Sequence, residues 1–210
     1  VSWLSYKYQG VKNLMPVTIN GDGSITGLSV GGLGSGVVNA ASLAANSVTA
    51  SAMPVGSILQ VKNFIKKDRD DFSTSSSFAA TGMSVTITPS STSNKLLVMA
   101  NLEVGNSGNN SVQFKLYRGT SEITAANNTN VTNKSFGWSY IRQQNNTEAS
   151  YQDVSVSLGY EHTPADTNSH EFNLYVNSFN TTVYLNGRGY SGDYGGTSSL
   201  TVMEIKGWVT

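Results

Sequence analysis

An all-β fold is predicted for most of this 210-residue chain. It reads as an antiparallel jelly roll or β-sandwich head, preceded by an extended arm and a short small-residue stem. Three observations predict it. After Gly56, apolar residues recur at every second position in eight or nine short runs. Gly, Asn, Pro and Asp turns separate the runs, and none shows the period of an amphipathic helix. Before Gly56, glycine and small residues dominate, and too few apolar side chains occur to build a core.

The arm is assigned to residues 1–35. Asn20-Gly21-Asp22-Gly23, flanked by Val17-Thr-Ile19 and Ile25-Thr26, is a strong hairpin signal. Trp3, Leu4, Tyr6, Tyr8, Leu28, Val30 and Leu33 are scattered apolar residues that read as anchors for another protein surface. Fully extended, the first 55 residues reach about 180 Å, enough to wrap or thread a partner. Met15-Pro16 reads as an ordinary start, which leaves residues 1–14 as an extension or a processed terminus.

The stem is assigned to residues 36–55. Val38-Asn-Ala-Ala-Ser-Leu43 aligns with Val48-Thr-Ala-Ser-Ala-Met53, a ten-residue near-repeat without charge or aromatic ring. Such a segment gains burial by packing on copies of itself. Val38, Leu43, Val48 and Met53 are its repeating apolar positions.

The head is assigned to residues 56–210. Gly56–Ile65 opens it as a strand, and Lys66–Asp71, with alternating charge signs, reads as a solvated loop. Met83–Thr88 follows. Lys95–Val104 places Leu96, Val98, Ala100, Leu102 and Val104 on one face. Val112, Phe114 and Leu116 alternate with polar neighbours, as do Val154, Val156 and Leu158, then Phe172, Leu174 and Val176, then Val183 and Leu185. Ser135–Ile141 is an aromatic strand, and Leu200–Ile205 closes the domain. Alternation of this kind predicts one wet face per sheet.

Composition excludes several functions. Thirteen basic and thirteen acidic residues cancel, so neither nucleic acid nor an anionic membrane is the expected partner. Charged residues make up 12%, well below the usual quarter, and the surface is neutral and hydroxyl-rich. With no cysteine there are no disulfides, zinc thiolates or thiol nucleophiles. No apolar run is long enough to insert into a membrane, and the first ten residues lack a secretion signal. Without such a signal, the glycosylation tripeptides at Asn127, Asn130, Asn133, Asn145 and Asn180 read as polar turns.

Candidate sites are few. His162 and His170 are the two histidines, and a hairpin between them sets their rings face to face near Glu161, Asp166 and Glu171. Their spacing is not a standard ligand pattern, so no metal and no cofactor is expected. Glu103, Glu122, Glu148 and Asp153 show no pairing that marks a glycosidase, and no nucleophile elbow is present, so no catalytic residue is assigned. Phe136, Trp138 and Tyr140 share one strand face and read as core or interface. Tyr190, Asp193 and Tyr194, in a glycine-rich turn, offer flat rings beside a polar group and are the candidate glycan-binding residues.

Four runs carry a resemblance: Gly56-Ser-Ile-Leu-Gln-Val61, Thr88-Pro-Ser-Ser-Thr-Ser-Asn-Lys-Leu-Leu-Val-Met99, Leu116-Tyr-Arg-Gly-Thr120 and Ser198-Ser-Leu-Thr-Val-Met-Glu-Ile205. Together they resemble the jelly-roll head domain of tailed-bacteriophage virion fibre, knob and capsid-decoration proteins. The arm and its repeat resemble the stem region of the same proteins, so the resemblance covers residues 15–206. It implies a homotrimer with a structural, non-enzymatic role at the virion surface, assembled in the host cytoplasm. The short stem fits a knob or a capsid cement protein better than a long tail fibre. The expected partners are further copies of the chain and other virion proteins of capsid or tail. The alternative is a tail-fibre adhesin that recognises a host surface polysaccharide.

Overall fold

The computed structural model describes residues 18–19, 25–26, 48–74, 77–107, 111–127, 138–142, 153–188 and 195–207. The chain divides into two units, Val1–Thr49 and Ala50–Thr210. In the first, β1 (Thr18–Ile19) pairs antiparallel with β2 (Ile25–Thr26), Thr18 opposite Thr26 and Ile19 opposite Ile25. This is the hairpin expected around Asn20–Gly23, whose four residues suit the tight reversal. The expected anchors, and Val38 and Leu43 of the stem, lie outside the described residues.

The second unit is an antiparallel β-sandwich. Its strands are β3 (Ile58–Lys66), β4 (Asp70–Thr74), β5 (Ala79–Ile87), β6 (Lys95–Asn106), β7 (Ser111–Arg118), β8 (Ser121–Glu122), β9 (Ser139–Arg142), β10 (Asp153–His162), β11 (His170–Asn177), β12 (Thr181–Leu185) and β13 (Ser198–Ile205). The first sheet is organised by the long β6. Along one side of it runs β10; along the other, β13 and β12 lie end to end, with β3 beside β13 and β4 beside β12. The second sheet runs β5–β11–β7, and β7 then pairs with both β8 and β9.

The core lies between the inner faces, where the period-two pattern puts it. Leu96, Val98, Ala100, Leu102 and Val104 of β6 meet Met83, Val85 and Ile87 of β5, Phe114 and Leu116 of β7, and Phe172, Leu174 and Val176 of β11. Val156, Leu158 and Tyr160 of β10 are only half buried against this cluster, because among the described residues β10 has a strand neighbour on one side alone. Trp138, expected in core or interface, is half buried beside the same cluster and donates its Nε1–H to the Gly159 carbonyl of β10 (3.2 Å). Phe136 and the side chain of Tyr140 lie outside the described residues.

Two expectations are corrected. The charge cluster Lys66–Asp71 is not simply a solvated loop. Lys66 is buried at the end of β3 and pairs with Asp68 (2.8 Å) and Asp70 (2.7 Å), while Asp70 and Asp71 open β4, a strand the sequence did not suggest. Burial pulls the Lys66 ammonium down, but hydrogen bonds and charge from the two aspartates hold it above its ordinary value. Asn186, at φ +59°, donates Nδ2–H to the carbonyls of Lys66 (2.8 Å) and Asp68 (3.0 Å) and so pins this corner to the end of β12. The second correction concerns the outer face of the first sheet, which is not uniformly wet.

Candidate functional site: the outer face of the first sheet

Strand register defines this face row by row. Ile58 lies opposite Ile205, which lies opposite Lys95. Val61, Met203, Leu97 and Glu161 form the next row across four strands. Asn63, Thr201, Met99 and Gly159 follow, then Ile65, Ser199, Asn101 and Ser157. Ile58, Val61 and Ile65 are 54%, 51% and 53% exposed. Leu97, Met99, Met203 and Ile205 are half buried by one another. The result is an apolar band across three strands, with small or polar residues beside it and charge at its margin, where Lys95 pairs with Glu161 (3.5 Å). Contiguous apolar surface of this kind, rimmed by polar groups, marks an interaction site. Leu97 and Met99 interrupt the alternation within Lys95–Val104 and were the signal available in the sequence.

The band begins where the stem arrives. Ala50–Ala52 form one turn of 3-10 helix, and Lys206 Nζ, just beyond β13, donates to the carbonyls of Ser51 (2.8 Å) and Met53. Val48 is 53% exposed and Met53 half buried, so of the four stem positions these two are described.

The same end of the sandwich carries a buried carboxylate. Glu204 on β13 is fully buried. Its Oε1 accepts from Ser90 N–H (2.7 Å), Ser90 Oγ–H (2.8 Å) and Asn94 Nδ2–H (2.6 Å), and its Oε2 from Gln60 Nε2–H (2.6 Å). Burial pushes the carboxyl up, but these hydrogen bonds outweigh it and hold the group below the ordinary glutamate range. The arrangement ties β3, the β5–β6 connection and β13 together. It is structural, since it ties three segments of the chain to one another.

At the opposite end, register brings Glu103 and Asp153 onto neighbouring strands, Asp153 opposite Gly105 and Glu103 opposite Ser155. Partial burial pushes the exposed Asp153 carboxyl up and Glu103 adds to this, against the pull of Arg188 and Arg69. Glu103 accepts from Ser155 Oγ–H, and Arg69 pairs with Asp71 (2.9 Å) while lying over the Tyr184 ring (4.4 Å). Three acids, Asp71, Glu103 and Asp153, and two arginines, Arg69 and Arg188, make a mixed-charge cluster. Glu122 is held by Lys115 (2.8 Å), and Glu148 lies outside the described residues. Tyr190, Asp193 and Tyr194 lie outside them as well, but the turn that carries them returns close to this cluster. A Cβ on Gly196 would fall 2.4 Å from Glu103 Cγ, so only glycine fits there.

Beside that end, a shallow cleft of about 450 Å³ is lined by Ser73, Thr74, Ser107, Asn180, Thr181 and Thr182, all neutral hydroxyl or amide side chains. The histidines do meet. His162 of β10 and His170 of β11 have ring centroids 5.7 Å apart, packed on Phe172. Among the described residues no three His, Asp or Glu side chains assemble as a ligand set.

No protein-family model matches the chain, and no curated protein matches it.

Proposed function

We propose that this protein is a self-assembling structural component of a tailed-phage particle, a homotrimeric jelly roll at the virion surface held by its N-terminal arm. The apolar band on the first sheet carries this reading. A monomer has no use for Ile58, Val61 and Ile65 in water, and their neutral setting suits contact with an identical, equally neutral copy. The strand order supports the jelly-roll assignment. Taking β3 with β4, β8 with β9 and β12 with β13 as single strands, the sheets run first–eighth–third–sixth and second–seventh–fourth–fifth. Ser51 and Met53 are tied to Lys206 next to Ile205 of the band, so copies joined there would share one axis. Three arms then give avidity to weak single attachments.

Sedimentation equilibrium tests the assembly. The full chain is expected at three times its monomer mass, and Val61→Asp with Met203→Asp is expected to sediment as a folded monomer. A monomeric wild-type chain overturns the proposal.

A second reading, an adhesin for host polysaccharide, is favoured by the hydroxyl-lined cleft. Neutral groups that both donate and accept match the hydroxyls of an uncharged sugar. Binding on a glycan array that is lost on Thr182→Asp supports this reading, and silence across the array removes it.

A further inference from the structure

One buried imidazole, His170, and one half-buried imidazole, His162, have unmet chemistry. His170 is 3% exposed, and its Nε2 lies 3.2 Å from Asp166 Oδ1. A carboxylate only accepts, so Nε2 carries the proton, and Nδ1 of the neutral ring is left as a bare lone pair. That Nδ1 is buried without a hydrogen-bond partner, and so is Nε2 of His162. Two orphaned acceptors in one small cluster call for an explanation. Water is a poor one for rings packed on Phe172, His162 edge-on at 5.5 Å and His170 nearly parallel at 6.5 Å.

We infer that His162 Nε2 and His170 Nδ1 form a two-imidazole site for a borderline divalent transition ion of the zinc, nickel or copper class. Geometry supports this. With metal–nitrogen bonds of about 2.0–2.1 Å and a tetrahedral angle, two imidazole centroids sharing an ion stand roughly 5.2 Å apart. The rings stand 5.7 Å apart at 60°, within a small side-chain adjustment. The Asp166–His170 contact is the outer hydrogen bond that usually orients a metal-bound histidine. Burial, then the charge of Arg118, push the His162 ring down, which keeps it in the neutral form that ligates. Oxygen-seeking calcium and magnesium find no suitable donor set in these two rings.

The site has a structural consequence. His162 belongs to the first sheet and His170 to the second, so an ion there clips the sandwich across its layers. It also secures β10, which among the described residues pairs with β6 alone. With only two protein ligands, the ion is exchangeable and tightens a fold that exists without it.

The chain has two histidines and no cysteine, so an imidazole signal on titration reports this pair. Chelator-treated full-length protein is titrated calorimetrically with Zn²⁺, and its Tm is followed in parallel. One ion per chain is expected, with Tm rising by about 3–6 °C at metal tenfold above Kd. Mg²⁺ is expected to do nothing. His162→Phe and His170→Phe each abolish both effects. Should a variant fail to fold, both imidazole NMR signals of the wild-type protein are expected to move together with Zn²⁺. Absence of binding, binding retained in both variants, or imidazole signals that stay in place overturns the site.

Discussion

Glu204 shows how a single residue governs one end of this sandwich. Four donors converge on it from two separated segments, and all four lose a charged acceptor if the carboxylate is lost. Glu204→Gln is expected to cost about 2–4 kcal/mol, because its amide turns a donor toward donors; urea denaturation at neutral pH measures this. The pH dependence has a definite sign. The folded carboxyl lies below its unfolded value, so its stabilisation is present above the ordinary glutamate range and is lost as pH falls through the folded value. Melting temperature against pH is therefore expected to fall less steeply for Glu204→Gln than for the wild type in that acid window. None of this was legible from residue spacing, since Gln60, Ser90, Asn94 and Glu204 are far apart in the chain. Yet three of the four runs quoted for the phage resemblance contain these residues. The likeness of those runs is therefore a likeness of scaffold and carries no chemistry.

Strands were the most legible level. Period two located the inner faces of β6, β7, β11 and β12 because burial on one face of a pleated strand leaves that signature directly in the sequence. It was misleading where a strand is apolar on both faces. Leu97 and Met99 stand opposite Leu96 and Val98 in direction, and the outer band followed only once register placed Val61 and Met203 beside them. Lys66 misled for the reverse reason: a charge in a charged run reads as solvated unless its tertiary partners are known. Edge position has a measurable effect. Leu102, 2% exposed on the central β6, and Leu158, half buried on β10, are the same side chain in different settings. Leu102→Ala is expected to destabilise by about 2–5 kcal/mol and Leu158→Ala by about half of that in denaturant unfolding. Equal costs would mean that β10 is covered on its free side in solution, as it would be in an assembly.

On the scale of the whole molecule, the division at Thr49–Ala50 separates the arm-bearing portion from the sandwich. Under the proposed role, deletion of residues 1–35 is expected to leave the far-ultraviolet circular dichroism of the sandwich and its oligomeric mass unchanged. The truncated protein is expected not to join particles in an incorporation assay, and retained incorporation would remove the arm from the attachment mechanism. The apolar residues of the arm stand out in the sequence but lie outside the described residues, whereas the outer apolar band became visible only through strand register.

The ends of the sandwich also differ in how much sequence change they tolerate. Around Glu204 the loops are stapled shut, with Asn94 Oδ1 also accepting from Gly207 N–H (3.1 Å). From the other end leave the connections that follow β4, β6, β9 and β11, and every bond of the Glu204 network is remote from them. A foreign epitope grafted between Gln144 and Asn145 is expected to leave Tm within a few degrees of the parent, while the same graft after Ser91 prevents soluble expression. The fold is thus a display scaffold with a locked base and an editable rim, on which new specificities can be selected without rebuilding what holds it up.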